Sequence, residues 1–213
     1  MYMNRVITIS REFGSGGREI GRRLAEELQI AYYDNEVVEE LAKKTNFTEE
    51  YIKRIEEQKP YPLFPITIGR TFSPMTNSAF EQRTLVFSEQ SSIITQMAQT
   101  SDCVIVGRCA DYILHEYNPL RLFVYADMDF KMARCREKGE TQKDLTDKAL
   151  RRKILSVDKE RSKYYQFYTG QSWGEKTNYD LCLNTTTIEI KKAAILLAGL
   201  IRSNTPNGKF FFP

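Results

Sequence analysis

The chain begins with a β-prone run, a glycine-rich break and an amphipathic helix, all between Val6 and Leu28. The run VITI at 6–9 predicts a buried parallel strand, because such residues suit a sheet that is covered on both faces. After the break, apolar residues return at helical spacing. The break contains Gly14-Ser15-Gly16-Gly17, whose glycines permit the positive φ angles that turn backbone N–H groups inward. Together with the helix dipole, those groups predict a phosphate-binding loop; the alternative is a flexible turn.

The end of this loop departs from the usual phosphate-loop pattern. That pattern closes on Gly-Lys-Ser/Thr, in which the lysine reaches the β- and γ-phosphates and the hydroxyl binds Mg²⁺. Here the helix begins with Gly17-Arg18-Glu19, so that an arginine supplies the charge in a less compact form. The carboxylate of Glu19 would either hold a metal ion or repel a phosphate. The predicted phosphate-binding residues are Gly14, Ser15, Gly16, Gly17, Arg18 and Glu19.

Composition restricts the classes of partner and of chemistry. The 213 residues, 41% of them hydrophobic, suit one α/β domain with a small insertion. A net charge of +3 and the lack of a reader motif argue against nucleic acid and membrane partners. A single histidine, His115, leaves little scope for histidine chemistry. The N-terminal sequence reads directly into a strand and no apolar stretch is long enough for a bilayer, which predicts a cytoplasmic protein.

Five predicted strands separated by helices indicate a doubly wound parallel sheet. The predicted strands are 6–9, 30–33, 103–106, 120–125 and 178–183, and the predicted helices after the first cover 36–44, 48–58, 78–100, 144–167 and 188–202. The segment 59–77 carries prolines and aromatic residues without periodicity, which is typical of a lid, a binding loop or disorder. Cys103 and Cys182 lie in strand-like apolar runs and are expected in the core.

Charged residues at strand ends mark the predicted ligand-binding edge. Asp34 and Arg108 follow the second and third strands, and α/β proteins bind ligands at the carboxyl ends of their strands. Asp34 has the alternative role of capping the next helix.

Two later helices carry further charges. Asp158 and Arg161 are three residues apart and share a helix face, either as a simple ion pair or as part of a site. Lys131 and Lys138 lie on a basic helix after Asp127 and are expected to be solvated.

These motifs resemble the cytidylate-kinase-like branch of the nucleoside monophosphate kinases. The resemblance rests on VITISREFGSGGREIGRRLAEEL at 6–28, YYD at 32–34, VGRCAD at 106–111, LFVYAD at 122–127, VDKERSKYY at 157–165 and NYDLCLNT at 178–185. It implies a P-loop NTPase-like, three-layer α/β/α fold with a five-stranded parallel sheet. Within one domain it implies a core (1–34, 101–128 and 162–213), a helical acceptor-binding insertion over about 35–100 and a lid over about 129–161.

The resemblance also implies roles for individual residues. The family's loop lysine falls on Gly17 and its threonine on Glu19, while the acceptor-holding arginine after the second strand has no match. The implied catalytic residues are Arg18, Arg108, Asp158 and Arg161; the acceptor-binding residues are Asp34, Arg108, Asp158 and Arg161; and the lid arginines are Arg134 and Arg136. No metal ligand is assigned.

The implied activity is phosphoryl transfer from ATP, with Mg²⁺, to a small phosphorylated acceptor such as CMP or another nucleoside monophosphate. The alternative is a non-catalytic sensor that binds a nucleotide or another anion. The missing lysine and threonine favour the sensor, whereas Arg108, Asp158 and Arg161 favour the enzyme. The sequence does not give the oligomeric state and is compatible with a homo-oligomer.

Overall fold

A computed structural model of the chain describes residues 4–45, 47–49, 52, 78–139 and 145–203. The elements in these ranges are, in chain order, β1 (Val6–Arg11), α1 (Gly17–Leu28), β2 (Ala31–Tyr33), α2 (Glu36–Lys44), α3 (Ser78–Thr100), β3 (Cys103–Val106), α4 (Ala110–Ile113), β4 (Leu120–Tyr125), α5 (Met128–Lys138), α6 (Asp147–Thr169), β5 (Leu181–Asn184) and α7 (Ile190–Ser203).

The five strands form one parallel sheet in the order β2-β3-β1-β4-β5. In the centre of the sheet, Ile9 of β1 lies in register with Val106 of β3 and Leu122 of β4. One face of the sheet packs on apolar residues of α2 and α3, and the other face packs on those of α1 and α7. This arrangement confirms the predicted three-layer α/β/α fold, with the loop after β1 at the carboxyl edge of the central strand.

Most predicted elements match the structure to within a few residues, and the first and fifth strands differ most. The first strand runs past Ile9 to Arg11, because Ser10 and Arg11 continue the ladder with Phe123 and Val124 of β4. The fifth strand begins at Leu181 instead of 178. Most of the predicted helix over 48–58 lies outside the described residues, as do the whole of segment 59–77 and the C-terminal NGKFFFP.

Two predictions about burial are wrong. Cys103 is buried, but Cys182 is exposed, because β5 is an edge strand on which alternate residues face outward. Lys131, expected on a solvated helix face, is 5% exposed. Helix α5 packs on the loop after β1 and buries Lys131 between two carboxylates, and no local charge pattern reveals that contact.

The predicted lid contains a packed helical pair. Helices α5 and α6 share an apolar cluster of Cys135, Leu150 and Ile154, with Phe13 of the loop against it. Helix α6 continues without a break from the predicted lid, past 161, to Thr169. The division into core, insertion and lid stays a prediction. None of the described helices combines the length and apolarity needed to cross a bilayer.

Candidate functional site

The loop between β1 and α1 has the backbone geometry of an anion site. Gly14 and Gly16 have φ angles of 76° and 84°, and α1 begins at Gly17. Two hydroxyls hold the loop: Ser15 Oγ donates to the Glu12 carbonyl at 2.8 Å, and Thr185 Oγ1 donates to the Ser15 carbonyl at 2.8 Å. The first N–H groups of a helix have no partner within that helix, so the fixed loop presents donors at the positive end of the α1 dipole.

A buried ion network attaches the loop to helices α5 and α6. Lys131 Nζ lies 2.9 Å from a Glu12 carboxylate oxygen and 3.1 Å from Asp158 Oδ2. Asp158 Oδ1 accepts a hydrogen bond of 2.6 Å from the Phe13 backbone N–H. Burial raises the pKa of Asp158 above its usual value, although the Phe13 N–H and Lys131 act in the opposite direction. Asp158 therefore contacts the backbone of the loop and the buried Lys131 in this structure.

Glu19, which replaces the hydroxyl of the usual pattern, is neutralised by arginines. Its carboxylate accepts hydrogen bonds from Arg23 at 2.9 Å and from Arg134 at 2.8 Å. Burial by itself would raise the pKa of Glu19, but these bonds outweigh it and the pKa is lowered. Arg134 is therefore brought to the loop, whereas Arg136 is half exposed and pairs with Asp147.

Two cavities meet at the carboxyl edge of β1 and β3: the loop pocket, which contains Gly14, Gly16, Glu19 and Arg134, and an adjoining cavity of about 200 Å³. The adjoining cavity contains the side chains of Arg11, Arg18, Arg108 and Arg161, and an aromatic wall of Tyr164, Tyr165 and Trp173. The predicted site residues Arg18, Arg108 and Arg161 are thus brought together. Four cations around one small cavity make a site for an anion with more than one negative charge.

The buried carboxylate of Asp34 is the counter-charge beside this arginine group. Asp34 is 4% exposed, and its Oδ2 lies 2.6 Å from Arg18 Nε. Its Oδ1 lies 3.7 Å from Arg108 and 3.9 Å from Arg11. Asp34 therefore pairs with the arginines, and no side-chain hydrogen bond among the described residues caps α2; its role in acceptor binding stays a prediction.

The backbone around Arg108 carries strain. Gly107, Arg108 and Cys109 have φ angles of 78°, 57° and 55° in succession. Residues other than glycine seldom adopt positive φ, and such strain is concentrated at functional sites. The turn directs the Arg108 side chain, which is 10% exposed, into the cavity.

Arg11 is the site residue that the sequence analysis missed. It stands at the carboxyl end of β1, lines both the loop pocket and the adjoining cavity, and accepts a hydrogen bond of 3.0 Å from Arg161 on its carbonyl oxygen. The argument that selected Arg108, an arginine at a strand end, applies equally to Arg11. Because the predicted strand ends at Ile9, the sequence does not place Arg11 at a strand end.

The described residues do not fit a preformed magnesium site. They contain no cluster of three or more histidine, cysteine, aspartate or glutamate side chains suited to a metal. The carboxylates nearest the loop are each paired with a cation: Glu12 with Lys131, Glu19 with Arg134, and Asp34 with Arg18. Mg²⁺ is usually bound by free carboxylates together with substrate phosphates.

The fold and this site define a P-loop kinase type of protein: a parallel sheet between helices, a glycine loop before the first helix, and cations at the strand ends. The chain belongs to the cytidylate kinase-like family, whose sequence model matches residues 6–187. Family and fold together support phosphoryl transfer as the class of reaction.

Several solved structures are similar over nearly the full chain. An uncharacterised protein from Eubacterium ventriosum is 26% identical with a TM-score of 0.68, covering 94% of this chain and 99% of that one. A shikimate kinase from Bacteroides thetaiotaomicron is 13% identical with a TM-score of 0.57, covering 94% and 99%. A shikimate kinase from Acinetobacter baumannii in complex with shikimate is 17% identical with a TM-score of 0.50, covering 96% of each chain. The two shikimate kinases support the fold alone. No curated protein sequence gives a significant match.

Proposed function

We propose that this protein transfers a phosphoryl group from ATP to a small anionic acceptor, with CMP and other nucleoside monophosphates as the first candidates. The observation that carries the proposal is the meeting of two anion-suited pockets. The loop pocket and the adjoining cavity share Arg11, Arg18 and Arg161, so that two phosphorylated ligands would meet at shared cations. Phosphoryl transfer needs mainly such positioning and charge neutralisation, and no covalent intermediate.

Each group of residues has a proposed role. The glycine loop and Arg134 hold the donor phosphates, and Asp158 fixes the loop through the Phe13 N–H. Arg18 and Arg108, oriented by Asp34, hold the anionic group of the acceptor. The rings of Tyr164 and Trp173 offer a surface for a planar group such as a base. The paired carboxylates offer no free ligand for Mg²⁺, so no step is assigned to the metal.

An assay of ADP release tests the proposal. The protein is incubated with ATP and one acceptor at a time: CMP, UMP, AMP, GMP, shikimate or none. We expect release above the acceptor-free rate with at least one nucleoside monophosphate, and loss of that release in Arg108→Ala. Parallel reactions with Mg²⁺ and with excess chelator measure the need for the metal. Acceptor-independent release throughout would contradict the proposal.

The sensor remains the second candidate, because Glu19 and the glycine at position 17 replace the two loop residues that usually contact ATP·Mg²⁺. A thermal-shift series over the same nucleotides separates the two functions. Stabilisation by ATP or a monophosphate, with no ADP release from any pair, is the result expected of a sensor.

The loop itself is expected to bind an anion. Free helix N–H groups, the α1 dipole and the buried Arg134 converge there, so crystals grown with sulfate should show a sulfate at Gly14–Gly17. The Glu19→Lys variant, which replaces the negative charge at this helix end, should bind the ion more tightly. An empty loop together with an occupied site elsewhere would contradict this prediction.

A further inference from the structure

The loop contains a glycine where a lysine is usual, and the structure shows what fills the space. A Cβ atom built on Gly17 would lie 2.5 Å from Arg11 Cβ and 3.1 Å from Arg11 Cγ. Both are stem atoms next to the β1 backbone, so they cannot swing away as the end of a side chain can. A side chain at position 17 therefore conflicts chiefly with the Arg11 stem, and less severely with Val124 Cβ, which would lie 3.1 Å away.

The other end of the same side chain explains a second glycine. Gly107, at the end of β3, has a φ of 78°, and a Cβ atom built on it would overlap Arg11 Nη1. The Arg11 side chain thus extends from the start of α1 to the end of β3, and a glycine makes room for it at each end. Gly17, six residues after Arg11, and Gly107, almost a hundred residues later, both leave space for this one side chain.

The surroundings of this guanidinium suit an incoming anion. Arg11 is the one strand-end residue of β1 that lines both pockets, and its side chain is 15% exposed. Its nearest carboxylate, Asp34, is 3.9 Å away and already pairs with Arg18 at 2.6 Å. Burial and the charge of Arg161 lower the pKa of Arg11, and Asp34 only partly offsets them. A cation held in this way is stabilised when an anion arrives.

We propose that Arg11 replaces the missing loop lysine and contacts the phosphoryl group in transfer. This inference rests on the proposed function. In the transfer, the bond from the γ-phosphorus to the bridging oxygen breaks, and ADP leaves with its electron pair. A bond forms from the γ-phosphorus to a phosphate oxygen of the acceptor, and no proton moves. Arg11 neutralises charge on the equatorial oxygens at the junction of the pockets.

The neighbouring arginines are less suited to this role. Arg18 has a side chain that is 61% exposed, and it is engaged by Asp34. Arg134 approaches the loop, but its guanidinium donates to Glu19 at 2.8 Å. Of these three arginines, only Arg11 has a largely buried side chain that lines both pockets and also excludes a side chain at position 17.

A swap of the two positions tests the inference. Arg11→Ala should lower kcat by about 100-fold or more, because one lost donor to transition-state charge typically costs that much. Its KM for the acceptor should change far less, and Arg11→Lys should recover part of kcat. Gly17→Lys alone should be impaired because it clashes with Arg11. The double variant Arg11→Gly/Gly17→Lys should exceed either single variant at least tenfold. Arg151→Ala, an exposed arginine of α6, is the charge-matched control.

Folding is checked by the melting temperature without ligand. Arg11→Ala should melt at or above the wild-type temperature, since it removes one cation from a group of four. A kcat within a few-fold of wild type in Arg11→Ala, or a double variant no better than the worse single one, would overturn the inference.

The role of Arg11 can still be tested if the proposed function fails. If the wild-type protein releases no ADP with any acceptor, calorimetry with inorganic triphosphate decides the role of Arg11. Arg11→Ala should then weaken triphosphate binding at least tenfold relative to Arg151→Ala. Equal binding by the two variants would show that Arg11 is not the cation of the loop.

Discussion

Replacing Arg108 by alanine should remove acceptor-dependent ADP release while the protein keeps close to its wild-type melting temperature. The side chain lies in the anion cavity, and one charge-assisted contact is worth about 1.5–3 kcal/mol, or about 10- to 100-fold in acceptor affinity. Asp34 stays paired after the change, because Arg18 Nε is 2.6 Å away, compared with 3.7 Å for Arg108. Repulsion among the remaining arginines also decreases.

Thermal shifts with and without a nucleoside monophosphate measure this effect. Wild type and the Arg151→Ala control should gain melting temperature with ligand, and Arg108→Ala should gain little. A large drop in the melting temperature of Arg108→Ala, with the ligand shift retained, would make Arg108 a structural residue and contradict the prediction.

Replacing Lys131 by methionine should destabilise the fold by about 3–5 kcal/mol at pH 7, because it removes the closest cation from two partly buried carboxylates. The Lys131 side chain is 6% exposed, and those of Glu12 and Asp158 are 26% and 14% exposed. The desolvation and mutual repulsion of these two carboxylates would then be offset only by the Phe13 and Ala126 N–H groups and by Arg161, which lies 3.9 Å from Asp158. Urea unfolding measures the loss. Lys138→Met on the same helix, where the side chain is 42% exposed, should cost less than about 1 kcal/mol.

The pH dependence of the Lys131→Met variant follows from the same contacts. Burial already raises the pKa of Asp158, and removal of Lys131 raises it further. The folded state then binds more protons than the unfolded state above the ordinary carboxyl pKa, so stability falls as pH rises through that window. The free energy of unfolding of Lys131→Met should therefore approach that of wild type as the pH falls from 7 towards 5. The triple variant Lys131→Met/Glu12→Gln/Asp158→Asn should recover much of the stability at pH 7, and a deficit that persists in it would contradict this account.

The contrast between Arg108 and Arg11 shows how much of the site can be predicted from the sequence. Arg108 follows an apolar run that ends sharply at a glycine, so its place at the edge of the sheet can be predicted. Arg11 follows Ser10, and neither residue has strong β propensity. Their inclusion in β1 depends on pairing with Phe123 and Val124, more than 110 residues later in the chain.

The charged residues of α5 and α6 show the same limit. Helical spacing places Asp158 and Arg161 on one face, where they form an ion pair at 3.9 Å, and each has a further partner at the end of β1 or in the loop after it. Asp158 holds the Phe13 N–H, and Arg161 donates to the Arg11 carbonyl. Lys131 was expected in solvent and is buried. Periodicity describes the face of a helix, and it carries no information about which loop that face will meet.

The order of strands and helices, the glycine loop and the parallel sheet can be predicted from local signals, because apolar runs, helical spacing and glycine conformations act within a few residues and alternating strands and helices allow few topologies. The family and its three-layer fold are recognised from the resemblance of longer motifs. The folded chain was needed to show that Arg11 fills the space beside Gly17 and Gly107, that Arg134 neutralises Glu19, and that Lys131 pairs with Glu12. Except for Arg11 and Gly17, these residues are distant in the chain, and the energies of their contacts depend on burial and charge that arise only when the helices pack on the loop.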